Sequence, residues 1–550
     1  MKLNTNLLND INLSEMYDQI DPNDAKKGLY NNIFYILRLR HDVHEVLRVI
    51  TSDENSDYYT EFEKIQAMST LFHENLHWWQ YIGSTSGLIM SLTFPAQVLA
   101  SLDSFKEYLE IVGNKKPVIL FTKYNLTEET KEDARFKAIN VILNTFYDIY
   151  YYRQRIKRPQ KITEACKEVF FESIGHSFHM AYDACVKLLA ATFDEDYSFL
   201  PNPKAWSKIF SELKKNKVEG FFHGSSIGLP PIGLEDLYEG QARFNQILYL
   251  NIASNNMLDW KAFQETGMLE GVYYSAFNIF LKILEEPRPE NVNSPLVALY
   301  LLLIDIAINP LEGFPFDIAN YEEFVLNADP GSRFIHLCQT VKDFYPQFKS
   351  TITEYSAENY FYISTVLCKT LGYHVPLEYK QKLTAWCTNQ ESIKELLKEN
   401  EAFKYKEGNL LVRLILGRFL SFQLDKFQSP EYFCWPGVFI HGQHNCRNFN
   451  VFYKKHQALF KENEDMDISP AMLPGIDDET LRNTAGEFYS MLTLFELCRQ
   501  WVFCEGGFTY NFQWISKKHD KEEVKQIVVE VFSGIFGISP ENFESVKHKP

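Results

Sequence analysis

The sequence lacks the features that mark nucleic-acid-binding and nucleotide-using proteins. Lys and Arg number 55 against 72 Asp and Glu, so the formal net charge is −17 at pH 7. This acidic balance argues against nonspecific binding to nucleic acid or to an anionic membrane surface. The chain contains no P-loop and no dinucleotide-binding glycine pattern, so nucleotide use has no support.

Signals for export and for membrane insertion are also missing. The nine cysteines are odd in number, scattered and never spaced Cys-x-x-Cys, which is typical of reduced thiols. Residues 1–19 lack a basic head followed by an apolar run, so we expect no signal peptide there. The most apolar run, Pro295–Ile308, is too short to span a bilayer and contains Asp305. We therefore expect a cytoplasmic protein that binds neither membrane nor nucleic acid.

What the chain does contain is a globular composition, 45% hydrophobic and 23% charged over 550 residues. Residues 134–157 and 409–427 are rich in apolar residues without strict alternation, which predicts helices. Pro295–Ile308 predicts a buried helix with Ser294 as its N-cap. Residues 116–124 predict a strand. The fold class is therefore mainly α with few strands.

The domain organisation is less strongly indicated. Residues 285–295, rich in proline and charge, form the clearest candidate linker. We divide the chain into a region of residues 1–290 and a helical region of residues 291–550, the second shaping a substrate groove or recognising a partner. The two halves could equally pack as one body.

The most informative stretch is FHENLHWWQ, residues 72–80. On a helix, apolar residues spaced three or four apart form one stripe, made up of Ile65, Met68, Phe72, Leu76 and Trp79. Gly83 is then a natural C-cap. The stretch contains the pattern His-Glu-x-x-His, with His73, Glu74 and His77.

This spacing suits a metal centre that carries its own base. His73 and His77 are one turn apart, so both imidazoles can reach one ion. Glu74 is rotated by about 100° from His73, beside the ion, where a base can take a proton from zinc-bound water. The alternative is an ordinary helix with two surface histidines. The apolar flanks, with Trp78 and Trp79, favour a metal site because polar groups in such surroundings need partners.

A catalytic zinc needs a third protein ligand and an open position. The best candidate is Glu239, in a helical pattern that follows Pro230 and Pro231. Gly240 follows the glutamate and would let another helix approach closely. Glu235, one turn earlier, is the main competitor.

Together these residues resemble a known family. His73, Glu74 and His77, followed by Glu239-Gly240-Gln241-Ala242, look like the gluzincin branch of the zinc metallopeptidases. The resemblance covers about thirty residues in two pieces, and residues 78–238 between them are longer than is common in that family. It implies a zincin-like helical core, with His73, His77 and Glu239 as zinc ligands and Glu74 as the general base.

Peptide hydrolysis also needs a donor for the developing oxyanion. Arg243, one turn past Glu239, is a candidate, although it could serve only to orient Glu239. His223, His441, His444 and Tyr510 are further candidates among which the sequence does not choose.

Three other patterns have weaker functional interpretations. Residues 224–228 match the G-x-S-x-G elbow of serine hydrolases, but the proline pair that follows forbids an immediate helix. Cys434, His441, His444 and Cys446 are close in sequence without matching a known zinc finger. Residues 172–179 place Glu172, His176 and His179 on one helical face, which is more typical of a polar network.

Our first hypothesis is a zinc-dependent metallopeptidase that acts on a protein or peptide. One version of this hypothesis is a protease with a narrow regulatory or defence role. One rival is a helical scaffold protein with a structural metal or none. Another is a zinc hydrolase of a non-peptide amide. The oligomeric state is left open by the sequence.

Overall fold

The structure is a computed structural model that describes residues 2–8, 35–51, 58–126, 133–161, 167, 170–225, 227–228, 230–440, 446–463, 467–512 and 520–546. Helices dominate this part of the chain, which confirms the mainly α prediction.

The helices before position 290 are Thr5–Leu8 (α1), His41–Thr51 (α2), Glu61–Gly83 (α3), Thr85–Leu99 (α4), Leu102–Ile111 (α5), Val118–Asn125 (α6), Ala134–Lys157 (α7), Ile174–Phe193 (α8), Pro203–Lys215 (α9), Leu234–Ala253 (α10), Trp260–Glu265 (α11) and Val272–Leu284 (α12). Those after it are Pro295–Ile308 (α13), Phe324–Ala328 (α14), Pro330–Phe344 (α15), Ala357–Thr370 (α16), Pro376–Asn389 (α17), Glu391–Ala402 (α18), Leu410–Gln428 (α19), Pro430–Cys434 (α20), Pro436–Phe439 (α21), Cys446–Lys455 (α22), Asp478–Phe503 (α23) and Lys521–Phe536 (α24). Short 3-10 helices lie at Pro159–Lys161, Pro346–Ser350 and Pro540–Asn542.

The strands are short and join segments that are far apart in sequence. They are Ile36–Leu37 (β1), Lys115–Lys116 (β2), Phe460–Glu462 (β3), Ile468–Pro470 (β4) and Glu544–Ser545 (β5). β3 is central in one sheet, parallel to β1 and antiparallel to β4, with Ile36 and Pro470 both opposite Phe460. β2 pairs in parallel with β5. Each sheet thus ties an early segment to a late one.

The predicted helices are confirmed, and the predicted strand is wrong. α7 matches its predicted range, and α19 begins and ends one residue later than predicted. Ser294 caps α13 by accepting a hydrogen bond from the Val297 N–H at 3.3 Å. In residues 116–124 only Lys116 lies in a strand, and the rest of the stretch from Val118 belongs to α6. Pro117 has no N–H for a strand ladder, and a short apolar run is compatible with either element.

Residues on the two sides of position 290 pack against each other. Trp79 donates a hydrogen bond from Nε1 to the His456 carbonyl at 2.8 Å, and its ring lies 5.6 Å from that of Phe422. Gln423 donates to the Gly83 carbonyl at 2.5 Å. The hydrophobic core extends across the predicted boundary. The division at residue 290 stays a prediction.

One stretch, Thr85–Ile111, is long and apolar enough to cross a membrane by length and composition. Within the protein, 72% of its apolar window is buried. Its first part, α4, packs against α3, α8 and α19. A core helix passes the same test of length and composition, so the expected absence of membrane binding stays a prediction.

Helix α3 carries the His-Glu-x-x-His motif, and side chains fix both of its ends. At the start, Thr60 Oγ1 accepts from the Glu63 N–H at 3.2 Å while the Glu63 carboxylate accepts from the Thr60 N–H at 2.9 Å, which is a capping box. At the end, Ser84 is the C-cap, so the prediction of Gly83 is wrong by one residue. A Cβ on Gly83 would lie 2.5 Å from the Phe422 ring, so close packing requires glycine here.

Helices α3 and α10 lie side by side and run antiparallel. Near the middle of α3, Ser69 Oγ accepts a hydrogen bond from Gln246 at 3.2 Å. Near its end, Gln80 donates to the Tyr238 carbonyl at 2.8 Å. A later residue of α3 therefore contacts an earlier residue of α10, so the two helices run in opposite directions.

Gly240 in α10 packs closely against a different helix from the one that the sequence suggested. The sequence suggested that it lets the motif helix approach. In the structure a Cβ at this position would collide with the hydroxyl of Tyr300, which α13 contributes. Tyr300 is fully buried, and within the described chain its hydroxyl has no hydrogen-bond partner. Gly240 therefore sets the distance between α10 and α13.

Replacing Gly240 by alanine should lower the free energy of unfolding by about 1–3 kcal/mol, because the new methyl group overpacks this contact. Adding Tyr300→Phe to Gly240→Ala should restore most of the loss, because phenylalanine lacks the colliding oxygen. Urea denaturation measures both effects. The matched control is Gly486→Ala in α23, where no atom lies within 4 Å of the new Cβ and alanine should stabilise the helix. Equal behaviour of the two single variants would contradict this account.

Candidate metal centre

Two helices bring three potential metal ligands to one point. His73 and His77 lie on α3, and Glu239 faces them from α10. The Nε2 atoms of the two histidines are 3.2 Å apart, and Glu239 Oε2 lies 3.2 Å from His77 Nε2 and 3.6 Å from His73 Nε2. Among the described residues, this trio is the one group of three or more His, Cys, Asp or Glu side chains placed to hold a metal ion.

The spacing and the chemistry of the trio fit zinc. Bonds of about 2.0–2.1 Å in a tetrahedral site place the ligand atoms about 3.3–3.4 Å apart, and the observed separations of 3.2, 3.2 and 3.6 Å bracket that distance. Two imidazoles and one carboxylate form a donor set of catalytic zinc sites. Glu239 Oε2 is buried and makes no well-aligned hydrogen bond to any described residue, so a cation would satisfy it.

The charges of His77 and Glu239 strongly affect each other's pKa. Burial lowers the pKa of His77, but the Glu239 carboxylate and the charge of Glu74 outweigh burial and raise that pKa to about 10. Burial raises the pKa of Glu239, but the two histidines hold it well below its usual range. Without metal, the pair at neutral pH is therefore an imidazolium and a carboxylate. A metal ion bound here would have to displace the His77 proton, so its affinity would rise with pH.

Gln80 orients His77 from the next turn of α3. Its Nε2 donates to the Tyr238 carbonyl at 2.8 Å and to Gln241 Oε1 at 3.0 Å. Its Oε1, 2.9 Å from His77 Nδ1, must therefore be an acceptor. His77 then carries its hydrogen on Nδ1 when neutral and directs the lone pair of Nε2 toward the trio.

Glu74 lies beside the trio and outside it. It is half-buried, it does not belong to the group of ligands, and its charge acts on His77. This is the placement that the helical offset from His73 predicts. The role of Glu74 as a base stays a prediction.

Glu235, the competing ligand, faces a different partner. Its carboxylate forms a two-fold ion pair with the Arg158 guanidinium, through Nε and Nη2. The same pair lies at the start of α10, one turn before Glu239. The geometry therefore favours Glu239 over Glu235, although the role of each as a ligand stays a prediction.

Arg243 lies one turn after Glu239 on α10, whereas Glu235 lies one turn before it. Its guanidinium carbon is 4.1 Å above the ring of Tyr273, and Tyr273 in turn contacts the edge of His73, with ring centroids 6.3 Å apart. Arg243 also donates to Gln246, which donates to Ser69 of α3 at 3.2 Å. Arg243 and Tyr273 thus form one wall of the site.

The other candidates for an oxyanion donor are not brought to the trio by any contact of the described residues. His223 is exposed and acts electrostatically on Glu172. Tyr510 lies under the Lys525 ammonium, 5.2 Å away, in the C-terminal part of the protein. His441 and His444 lie outside the described residues, so their predicted role is untested.

The weaker sequence patterns have structural explanations where they are described. His176 lies 3.3 Å from Asp148 and 3.8 Å from Glu172, which confirms a polar network for these two residues of the predicted three. Glu172 precedes α8, so the shared helical face is wrong for it, and His179 stacks on Phe210 with ring centroids 4.2 Å apart. The cysteines whose side chains the structure describes, including Cys434, form no disulfide. Ser226 of the G-x-S-x-G pattern and the side chain of Cys446 lie outside the description.

Sequence reasoning missed Gln80 and Tyr273. Gln80 had a signal that could have been used, because a polar residue three positions after His77 lies on the same helical face. Tyr273 had none, because its proximity to His73 arises from the packing of α12.

Replacing Gln80 by leucine should weaken zinc binding by about 10- to 100-fold, because the His77 tautomer is no longer fixed. Competition with a chromogenic chelator measures the affinity. The matched control is Gln97→Leu, since Gln97 is a buried glutamine of α4 that donates to the Phe146 carbonyl away from the trio. Unchanged zinc affinity in Gln80→Leu would show that this hydrogen bond does not orient the ligand.

Comparison with known proteins adds no relative. No protein-family model, curated protein or solved structure matches this chain. The likeness to gluzincins therefore rests on the residues of the two motifs and stays a prediction, as does the zincin-like core.

Proposed function

We propose that this protein is a zinc-dependent metallopeptidase that hydrolyses peptide bonds of a protein or peptide substrate. The observation that carries the proposal is the tetrahedral spacing of His73, His77 and Glu239, with Glu74 next to it. Structural zinc sites are normally closed by a fourth protein ligand. In the described chain no fourth His, Cys, Asp or Glu joins the trio. The side chains of His77 and Glu239 are 21% and 27% exposed, so the trio lies close to the protein surface.

The chemistry follows from the neighbours of the trio. Zinc held by His73, His77 and Glu239 would polarise the substrate carbonyl and make a water acidic near neutral pH. Glu74 takes the proton from the attacking water and passes it to the leaving amine nitrogen. Gln80 keeps His77 in the tautomer that presents Nε2. Arg243, stacked on Tyr273, which in turn contacts His73, is the candidate donor to the carbonyl oxygen as that oxygen gains negative charge.

One prediction of the proposed function concerns the metal. Wild-type protein without a histidine tag should contain one zinc per chain, and Glu239→Ala should lose it because a ligand is removed. Glu235→Ala should retain zinc with at most about a 10- to 100-fold weaker affinity, because Glu235 is paired with Arg158. Elemental analysis and chelator competition measure both. The reverse ranking would transfer the ligand role to Glu235, and a metal-free wild type would favour a scaffold protein.

Another prediction separates metal binding from chemistry. Glu74→Gln keeps the size of the side chain and removes its basicity, so it should retain zinc while cleavage falls by about 100-fold or more. Mass spectrometry of a digested peptide library measures cleavage. Glu61→Gln, an exposed position on the same helix, serves as the control and should cleave like wild type.

Cleavage by Glu74→Gln at the wild-type rate would contradict the mechanism. Stoichiometric zinc together with an untouched peptide library in the wild type would instead favour an amide hydrolase with a non-peptide substrate.

A further inference from the structure

A cleft opens between the end of α22 and the chain segment that forms and follows β4. It has a volume of about 440 Å³, which is within the range of ligand sites. One wall consists of Lys454, Gln457 and Lys461, and the other of residues 469–472 and 474. Gln457 bridges the two walls, because its Nε2 donates to the Met472 carbonyl at 2.9 Å. These residues define the lysine cleft.

The lysine cleft lies away from the metal centre. The Ala458 N–H donates to Asn75 Oδ1 at 2.9 Å, and the His456 carbonyl accepts from Trp79 at 2.8 Å. The residues on both sides of Gln457 are therefore bonded to α3. Asn75 lies about 200° around that helix from His73. The cleft thus borders the face of α3 opposite the trio, and its occupant is not the group that would react at the zinc.

Two ammonium groups give the cleft a positive charge. No carboxylate of the described chain lines it, and neither Lys454 nor Lys461 forms an ion pair with a described residue. The Lys461 ammonium donates to Gln457 Oε1 at 3.3 Å. Burial lowers the pKa of Lys461, so its charged form is poorly hydrated. Such a cation is attracted more strongly to an incoming anion than one in bulk water.

Two carboxylates from neighbouring elements have other partners. Glu462, next to Lys461 in β3, pairs with Arg38 at 3.3 Å. Asp425 of α19 lies 2.7 Å from the Lys455 ammonium and 2.7 Å from His456 Nε2. The charge of the cleft is thus opposite to the net charge of −17, and it attracts an anionic partner.

Large apolar side chains lie exposed at the same place. Met472, in the wall of the cleft, is 69% exposed. Val451 is 65% exposed and lies one turn before Lys454 on the same face of α22. Pro470 and Pro474 add further apolar surface to the wall. An occupant that covers this surface needs apolar groups as well as negative charge, which fits a peptide better than an inorganic anion.

The sheet edge beside the cleft is poorly suited to an added strand. β4 is an edge strand of its sheet in the described chain. The Ala471 N–H donates to the Leu459 carbonyl at 2.6 Å. The alternate residues Ile468 and Pro470 therefore direct their backbone groups away from β3. Pro470 has no N–H, and the Ile468 N–H donates to Asp467 Oδ1 at 2.9 Å, so side chains must carry the recognition.

We propose that the lysine cleft binds a peptide segment of a partner protein in which acidic and apolar side chains alternate. Its carboxylates pair with Lys454 and Lys461, and its apolar side chains cover Met472 and the proline-containing wall. This inference goes beyond the proposed function and does not depend on zinc or on peptidase activity.

Fluorescence anisotropy with labelled synthetic peptides tests the site. The probe is a hexapeptide of alternating Glu and Leu with blocked ends. Each of two control peptides changes one property, with Gln in place of Glu or with Ser in place of Leu. We expect the wild type to bind the Glu-Leu peptide about tenfold or more tightly than either control. Its affinity should fall as salt is added, because the ion pairs are partly screened.

Variants of the cleft provide the second arm of the test. Lys454→Gln combined with Lys461→Gln should weaken binding of the Glu-Leu peptide about tenfold or more, because both cations are lost. Met472→Ser, at an exposed position where the fold tolerates the change, should weaken it about threefold or more. The matched control is Lys208→Gln combined with Lys215→Gln, which makes the same change of charge at exposed positions of α9 and should bind like wild type. Urea denaturation verifies that each variant is folded.

Absence of binding to the wild type at peptide concentrations up to about 1 mM would overturn the proposal. Equal affinity of the wild type and of the Lys454→Gln, Lys461→Gln variant would overturn it as well. Glutarate, a dicarboxylate without apolar side chains, separates a peptide from a small anion. If glutarate displaces the labelled probe as well as the unlabelled peptide does, the cleft is a site for small anions and the peptide assignment is wrong.

Discussion

The antiparallel contact between α3 and α10 is the constraint on which the candidate centre depends. The histidines and the glutamate come from segments more than 150 residues apart, and neither helix alone forms a three-ligand site. Gln80 joins the two helices by donating to the Tyr238 carbonyl and to Gln241 while it accepts from His77. The same amide therefore sets the position of α10 and the tautomer of a ligand. Structural and chemical roles are joined in one side chain.

The surrounding helices restrict how far this contact can shift. The Phe422 ring fills the space over Gly83 at the end of α3, and the Tyr300 hydroxyl fills the space over Gly240. Both aromatic residues follow position 290 in the chain. Residues of the C-terminal half thus pack against α3 and α10 from outside, whether or not that half also recognises a substrate. Side chains supported in this way keep their mutual spacing, which would reduce the reorganisation needed to bind the proposed zinc.

The sequence predicted the parts of the site that depend on local helical geometry. The spacing of His73 and His77, and the offset of Glu74, follow from 3.6 residues per turn. Long apolar patterns similarly located α7, α13 and α19. What the sequence could not decide depends on contacts between distant segments. Glu235 and Glu239 are equivalent by periodicity, and the ion pair between Glu235 and Arg158, 77 residues away, distinguishes them. The stretch after Pro117 was predicted as strand because a short apolar run does not reveal its period.

The central claim is that one zinc ion binds between α3 and α10. The most direct measurement is an anomalous difference map from zinc-loaded crystals, recorded on both sides of the zinc absorption edge. The account predicts a single strong peak about 2.0–2.2 Å from His73 Nε2, His77 Nε2 and a carboxylate oxygen of Glu239. A peak at another set of side chains, or no peak in protein exposed to saturating zinc, would contradict it.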